Sequence, residues 1–193
     1  AHAELYMGLV EVGVGLIPGG GGCFGLLHNI QAHGPEVDPI HAVQKAFMAI
    51  GMAQVATSAE EARAAGFLQP VDRITMDRDA LLHAAKSRAL GMAKSDYSSP
   101  RPRTLRVAGT TGYATLYSAI WGMNQANQIS DHDMRIGTAL AKVLTGGDVP
   151  HGTELTEQRF LELEQEHFLS LCGEQKTLER IQHMLMTNKP LRN

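Results

Sequence analysis

Residues 9–22 read LVEVGVGLIPGGGG, and no other stretch restricts the backbone so tightly. One acid, Glu11, stands in an otherwise apolar run. The chain then turns on Pro18 and four consecutive glycines, and an apolar helical pattern runs from Cys23 to Ile30. The order is therefore acid, tight backbone, helix start. Glycines let a backbone approach a ligand closely because no Cβ intervenes. A helix start offers unpaired N–H groups to an oxygen or a water. A carboxylate with little polar company is a candidate for acid–base work. On spacing alone two readings stand: a site built around Glu11, or an ordinary strand–turn–helix corner with Glu11 at the surface.

The 193 residues are enough for one domain with a real core. Charged residues make up 19% and the net charge is −3, which gives no general attraction to nucleic acid or anionic lipid. No apolar run approaches the length of a membrane span. Cys23 and Cys172 lie far apart with no metal-type spacing, so buried thiols in the reducing cytoplasm are expected.

In chain order, residues 5–16 predict a strand ending near Val12, followed by a loop. A helix is predicted from Gly21 to His33, with Gly34 as its stop. Asp38 caps the next helix, with Pro39 in its first turn. Val43, Phe47 and Ile50 are spaced for one buried face of that helix. Ser58 and Glu61 form an S-x-x-E capping box, and Gly66 ends that short helix. An extended segment follows at residues 71–76. Asp77 or Asp79 then starts a helix through Lys94, with Leu81, Leu82, Ala85, Ala89 and Met92 inward. Residues 96–104 are rich in Ser, Pro and Arg and read as a linker. Beyond it four helices are predicted. The first, 112–127, turns Leu116, Ile120 and Met123 inward. The second is capped by Ser130 and stops at Gly146-Gly147. The third starts at Thr156 with Phe160, Leu163, Phe168 and Leu171 inward, and stops at Gly173. The last runs from about Lys176 to Met186 with Leu178, Ile181 and Leu185 inward.

VEVGVGLIPGGGG resembles the strand–turn–helix segment of the crotonase (enoyl-CoA hydratase/isomerase) superfamily. The stretches VQKAFMAIGMAQVATSAEEARAAGFLQPVDRITMDRD, ISDHDMRIGTALAKVLTGGD and FLSLCGEQKTLERIQHMLMTNKPLRN extend the resemblance over most of the chain. They are similar to one branch: long bacterial proteins with a 3-hydroxyacyl-CoA dehydrogenase part first and a crotonase part last. The implied fold is an α/β crotonase-like ββα spiral, of which this is a mostly helical C-terminal portion. Residues 1–95 would close the crotonase core, and residues 105–193 would form a C-terminal helical region. The chain opens almost directly into a strand pattern without an initiating Met, so Ala1 is expected to be the cut end of a longer chain.

The resemblance implies fatty acid β-oxidation on acyl-CoA thioesters, with Glu11 as one of two acids in hydration of a 2-enoyl thioester. Gly19 becomes a candidate backbone N–H donor to the same water. The second acid and both N–H donors for the thioester oxygen fall upstream in the family. These residues alone are therefore expected to be inactive and to require the upstream part of the same protein or a homo-oligomer. CoA enters as part of the substrate. NAD is expected only for the dehydrogenase part, because the glycine turn lacks the context of a dinucleotide fingerprint and of a P-loop. Asp131-His132-Asp133 reads as an N-cap with an acidic first turn rather than a metal site, and no metal is expected there or at His28, His33 and His41. Lys176, Arg180, Lys189 and Arg192 make the tail basic, either as a solvated helix face or as a border of the CoA pocket. A second function class stays open, a non-catalytic helical assembly module derived from a crotonase.

Overall fold

The computed structural model describes residues 1–32, 38–99 and 101–193. Among them helices dominate, and the strands are four short segments. Strand β1 (Met7–Gly8) pairs antiparallel with β2 (Val55–Ala56). Strand β3 (Thr104–Arg106) pairs antiparallel with β4 (Glu154–Thr156), with Leu105 opposite Leu155.

The helices start where short polar side chains satisfy orphan amides. Asp38 accepts from Ile40 N at 2.7 Å and opens α2 (Pro39–Gly51). Ser58 accepts from Glu61 N at 3.2 Å and opens α3 (Ala59–Ala65). The Glu61 carboxylate reaches back one residue further than a capping box requires. It takes the backbone N–H of Thr57 at 2.7 Å and its hydroxyl at 2.8 Å. Those bonds hold the Glu61 carboxyl below its ordinary range. Ser130 and Asp133 form a reciprocal capping box at the head of α6 (Asp131–Leu144). Thr156 caps α7 (Glu157–Cys172). Helix α1 (Gly22–Ala32) follows the glycine turn. The predicted stop at Gly34 lies outside the described residues.

One apolar core runs from Val12 and Ile17 through Phe24, Leu27 and Ile50 to Ile136, Leu144, Phe160 and Leu171. Helix α6 is its centre, packing against α1, α2, α7 and α5 (Gly109–Gln125). Helices on both sides of residues 96–104 therefore share the same core. Phe24 and Phe160 meet edge-to-face at 5.5 Å between ring centroids, a favoured aromatic geometry that joins α1 to α7.

Five expectations fail for physical reasons. The strand predicted to end near Val12 is only Met7–Gly8. The chain then winds into a 3-10 turn, Glu11–Val14, closed by Gly15 in the left-handed region at φ 88°. The segment at 71–76 is irregular, apart from Thr75, which bridges to the opening residues through Ala3 N–Thr75 O at 3.0 Å and Thr75 N–Ala1 O at 2.8 Å. Helix α4 (Leu81–Ala93) buries no residue, and Leu82 is 80% exposed, so its predicted inward face meets no core among the described residues. Helix α8 (Gln175–Thr187) turns Leu178 and Leu185 outward and buries Thr177 and Arg180 instead. Met123 on α5 is likewise exposed, while Leu116 and Ile120 are buried as predicted.

Candidate functional site

Glu11 opens the 3-10 turn and is half-buried. Its Oε2 is enclosed yet has no hydrogen-bond partner among the described residues. Buried carboxylate oxygens normally accept a hydrogen bond, so this oxygen keeps an acceptor position open among the described residues. The carboxylate lies near the head of α1. Cys23 there is fully buried, and burial pushes its thiol well above its ordinary value of 9.0. The charges of Glu164 and then Glu11 add to that effect. Cys23 is thus a protonated, inert thiol.

The head of α1 is occupied by protein. Glu164, from the middle of α7, is fully buried and aims its carboxylate at the first amides of the helix. Oε2 accepts from Gly21 N at 2.5 Å. Oε1 accepts from Cys23 N at 2.9 Å and Phe24 N at 3.3 Å. A carboxylate at a helix N-terminus satisfies orphan donors and meets the positive end of the helix dipole. Burial raises the Glu164 carboxyl above its ordinary value, and the amides of Gly21, Phe24 and Cys23 pull it back only in part. The amides of Gly21, Cys23 and Phe24 at this turn therefore already donate to a protein carboxylate.

Gly19 is exposed beside this cap. A Cβ built on it would stand 2.8 Å from the Phe168 ring, so close packing against α7 is itself a reason for glycine there. Gly21 has φ 90°, a conformation that L side chains rarely adopt.

The far end of the Glu11 turn is held by α8. The Thr177 hydroxyl donates to Gly15 O at 2.9 Å. Its oxygen also lies 2.9 Å from Nε2 of buried His132. Burial, then the charge of Arg180, lowers the His132 pKa below its ordinary value. Behind Thr177 lies Arg180, fully buried and paired with Asp133 at 2.7 Å. Burial pushes the Asp133 carboxyl up. The Arg180 hydrogen bond, the Ser130 amide and the charges of Arg180 and Arg192 outweigh that and leave it below its ordinary value.

Asp131, His132 and Asp133 are engaged separately. Asp131 accepts from Asn124 Nδ2 at 3.0 Å, His132 meets Thr177, and Asp133 caps α6 while pairing with Arg180 and Arg192. No group of His, Cys, Asp or Glu arranged to hold a metal ion occurs among the described residues. Arg180 does not belong to a solvated basic face, since it is completely enclosed. Cys172 is half-buried rather than buried. Sequence reasoning missed Glu164, although it sits inside the inward stripe Phe160, Leu163, Phe168, Leu171. A lone acid in such a stripe is the available signal for a buried cap.

Across all 193 residues the chain is 47% identical to the probable 3-hydroxyacyl-CoA dehydrogenase of Bacillus subtilis (strain 168), and it spans 24% of that relative's length. No protein-family model matches the chain. No solved structure matches it.

Proposed function

We propose that this chain is a crotonase-type portion of an acyl-CoA β-oxidation protein, with Glu11 as one of its acid–base groups. The observation that carries the reading is the buried Glu11 oxygen with no partner among the described residues. It stands several residues before the glycine turn, where the resemblance puts a hydratase acid. The similarity to a 3-hydroxyacyl-CoA dehydrogenase supports the same metabolic setting.

In hydration of a 2-enoyl-CoA, water adds its oxygen to C3 and a proton arrives at C2. Glu11 as carboxylate would accept a hydrogen bond from that water and take its proton as the C3–O bond forms. The second acid, which would deliver the proton to C2, and the paired N–H donors for the thioester oxygen would come from the upstream part of the protein or a neighbouring copy. Two such donors are needed where enolate charge develops. NAD, on this reading, belongs to the dehydrogenase part outside this segment.

Exposed apolar surface supports the alternative, an assembly module. Helix α4 buries nothing, and Tyr6 and Met76 are about four-fifths exposed. Where such residues form a contiguous patch, they mark an interaction face. Glu11→Gln in the intact protein separates the readings. The expected result is a loss of about 10²–10⁴-fold in hydration of a 2-enoyl-CoA with CoA binding preserved. Activity within a few-fold of the parent would remove Glu11 from the chemistry.

A further inference from the structure

The 3-10 turn that carries Glu11 is not itself part of a strand or a long helix, and acid–base work needs a fixed carboxylate. A misplacement of about 1 Å can cost roughly 10²-fold in rate. We infer that α8 and residues 192–193 form a clamp that positions this turn, with Thr177 as the positioning residue. The inference rests on the reading of Glu11 given above.

The contact is specific. Thr177 is fully buried and donates its one hydroxyl hydrogen to Gly15 O. The hydroxyl oxygen is then an acceptor, so His132 donates from Nε2. A directed chain results, from His132 through Thr177 to the carbonyl that closes the Glu11 turn. Gly15 presses against this support. A Cβ there would lie 2.9 Å from Thr177 Oγ1 and 3.3 Å from Arg180 Cδ.

Helix α8 is in turn locked from behind. Arg180 donates to Asp133 Oδ1 at 2.7 Å, to Ser130 Oγ at 3.4 Å and to Asn193 Oδ1 at 2.8 Å. Asn193 folds back onto the same helix, donating to Lys176 O at 3.2 Å and Glu179 Oε2 at 2.9 Å. Arg192 adds a second bond to Asp133 at 3.0 Å. The tail therefore fastens Arg180, Arg180 fastens α8 to the head of α6, and Thr177 transmits that fixity to Gly15.

The test is Thr177→Val in the intact protein, with Thr177→Ser as the conservative variant and Glu11→Gln in parallel. Two readouts are taken: hydrogen–deuterium exchange of the peptide covering residues 9–17, and kcat and KM for hydration of a short 2-enoyl-CoA. The clamp predicts faster exchange in that peptide, a kcat loss of about 10–100-fold with KM nearly unchanged, and recovery of both by serine. Unchanged exchange in Thr177→Val, or failure of serine to restore it, overturns the clamp. Full hydration activity in Glu11→Gln overturns the reading of Glu11 instead, and the exchange data still decide the clamp. If Thr177→Val does not fold, Asn193→Ala loosens the same support from the periphery. It should raise exchange in the 9–17 peptide, and no change there would refute the inference.

Discussion

Replacing Glu164 tests the cap at the head of α1, and the two obvious substitutions should differ in a predictable way. The carboxylate uses both oxygens: Oε2 serves Gly21 N, while Oε1 serves Cys23 N and Phe24 N. Gln keeps the shape but has one acceptor. Its best orientation puts oxygen toward Cys23 and Phe24 and sets an NH2 group against the Gly21 N–H. One charge-assisted bond is lost, and two donors face each other in a half-buried place. A hydrogen bond to a charged group contributes about 1.5–3 kcal/mol, and an unsatisfied buried donor costs about 1–3 kcal/mol. Desolvation of the native charge, visible as the raised Glu164 carboxyl, offsets part of this. Glu164→Gln should therefore destabilise by about 1–3 kcal/mol. Ala loses all three bonds and leaves a cavity beside Phe24 and Phe160, which places Glu164→Ala at about 3–5 kcal/mol. Urea unfolding followed by circular dichroism, with the slope checked for constancy, measures both. Equal stability of the Gln variant and the parent would show that the carboxylate does not cap α1.

Three further outcomes follow from the same packing. His132 is held neutral by burial with its pKa lowered, so its contribution to stability is complete above about pH 6.5 and is lost as pH falls through the folded value. His132→Gln should flatten stability against pH in that window, read from urea midpoints between pH 7 and pH 5. Asp133→Ala leaves Arg180 buried without its anion and should cost about 3–5 kcal/mol. Arg180→Met added to it should recover much of that loss in a double-mutant cycle. Gly15→Ala forces an L side chain into a left-handed residue at φ 88°, costing about 1–2 kcal/mol, before the contact with Thr177 is counted. Thermal unfolding of that single variant checks it.

The local signals in the sequence carried well. Ser130, Thr156 and the Asp38-Pro39 pair mark helix starts because a cap acts within three residues of itself, so nothing distant can change it. Gly66 and Gly146-Gly147 mark the stops for the same reason, with φ of 93°, 85° and 81°. What failed depended on distant partners. On α8 the stripe Leu178, Ile181, Leu185 has the same period as Thr177, Arg180, Met184, displaced by one residue. Periodicity gives the repeat but not which stripe meets a polar neighbour. On α4 the apolar positions were legible, yet nothing among the described residues covers them. Glu11 was legible only as a candidate, because an acid a few residues before a glycine turn is a local pattern. Its supports were not, since Glu164 and Thr177 lie 143 and 162 positions from Gly21 and Gly15.

That long-range support decides how far the chain can be divided. The segment from Glu11 to Phe24 is held at one end by Thr177 on α8 and at the other by Glu164 on α7. Both helices lie beyond residues 96–104 in the chain. Without them Gly21, Cys23 and Phe24 lose their acceptor, and Phe24 loses the Phe160 ring. Ile17 and Leu27, now 0% and 1% exposed, belong to the same core as Phe160, Leu163 and Leu171. Fully burying such a side chain contributes about 1.5–3 kcal/mol, so exposing several removes more than a typical domain's margin of about 5–15 kcal/mol can spare once the cap is also lost. Residues 1–95 expressed alone should therefore give no cooperative unfolding transition and fast amide exchange throughout α1. Residues 1–193 should give a cooperative transition with protected α1 amides. A stable, cooperatively folding 1–95 piece would show that the second half is an appended module and not the frame that holds Glu11.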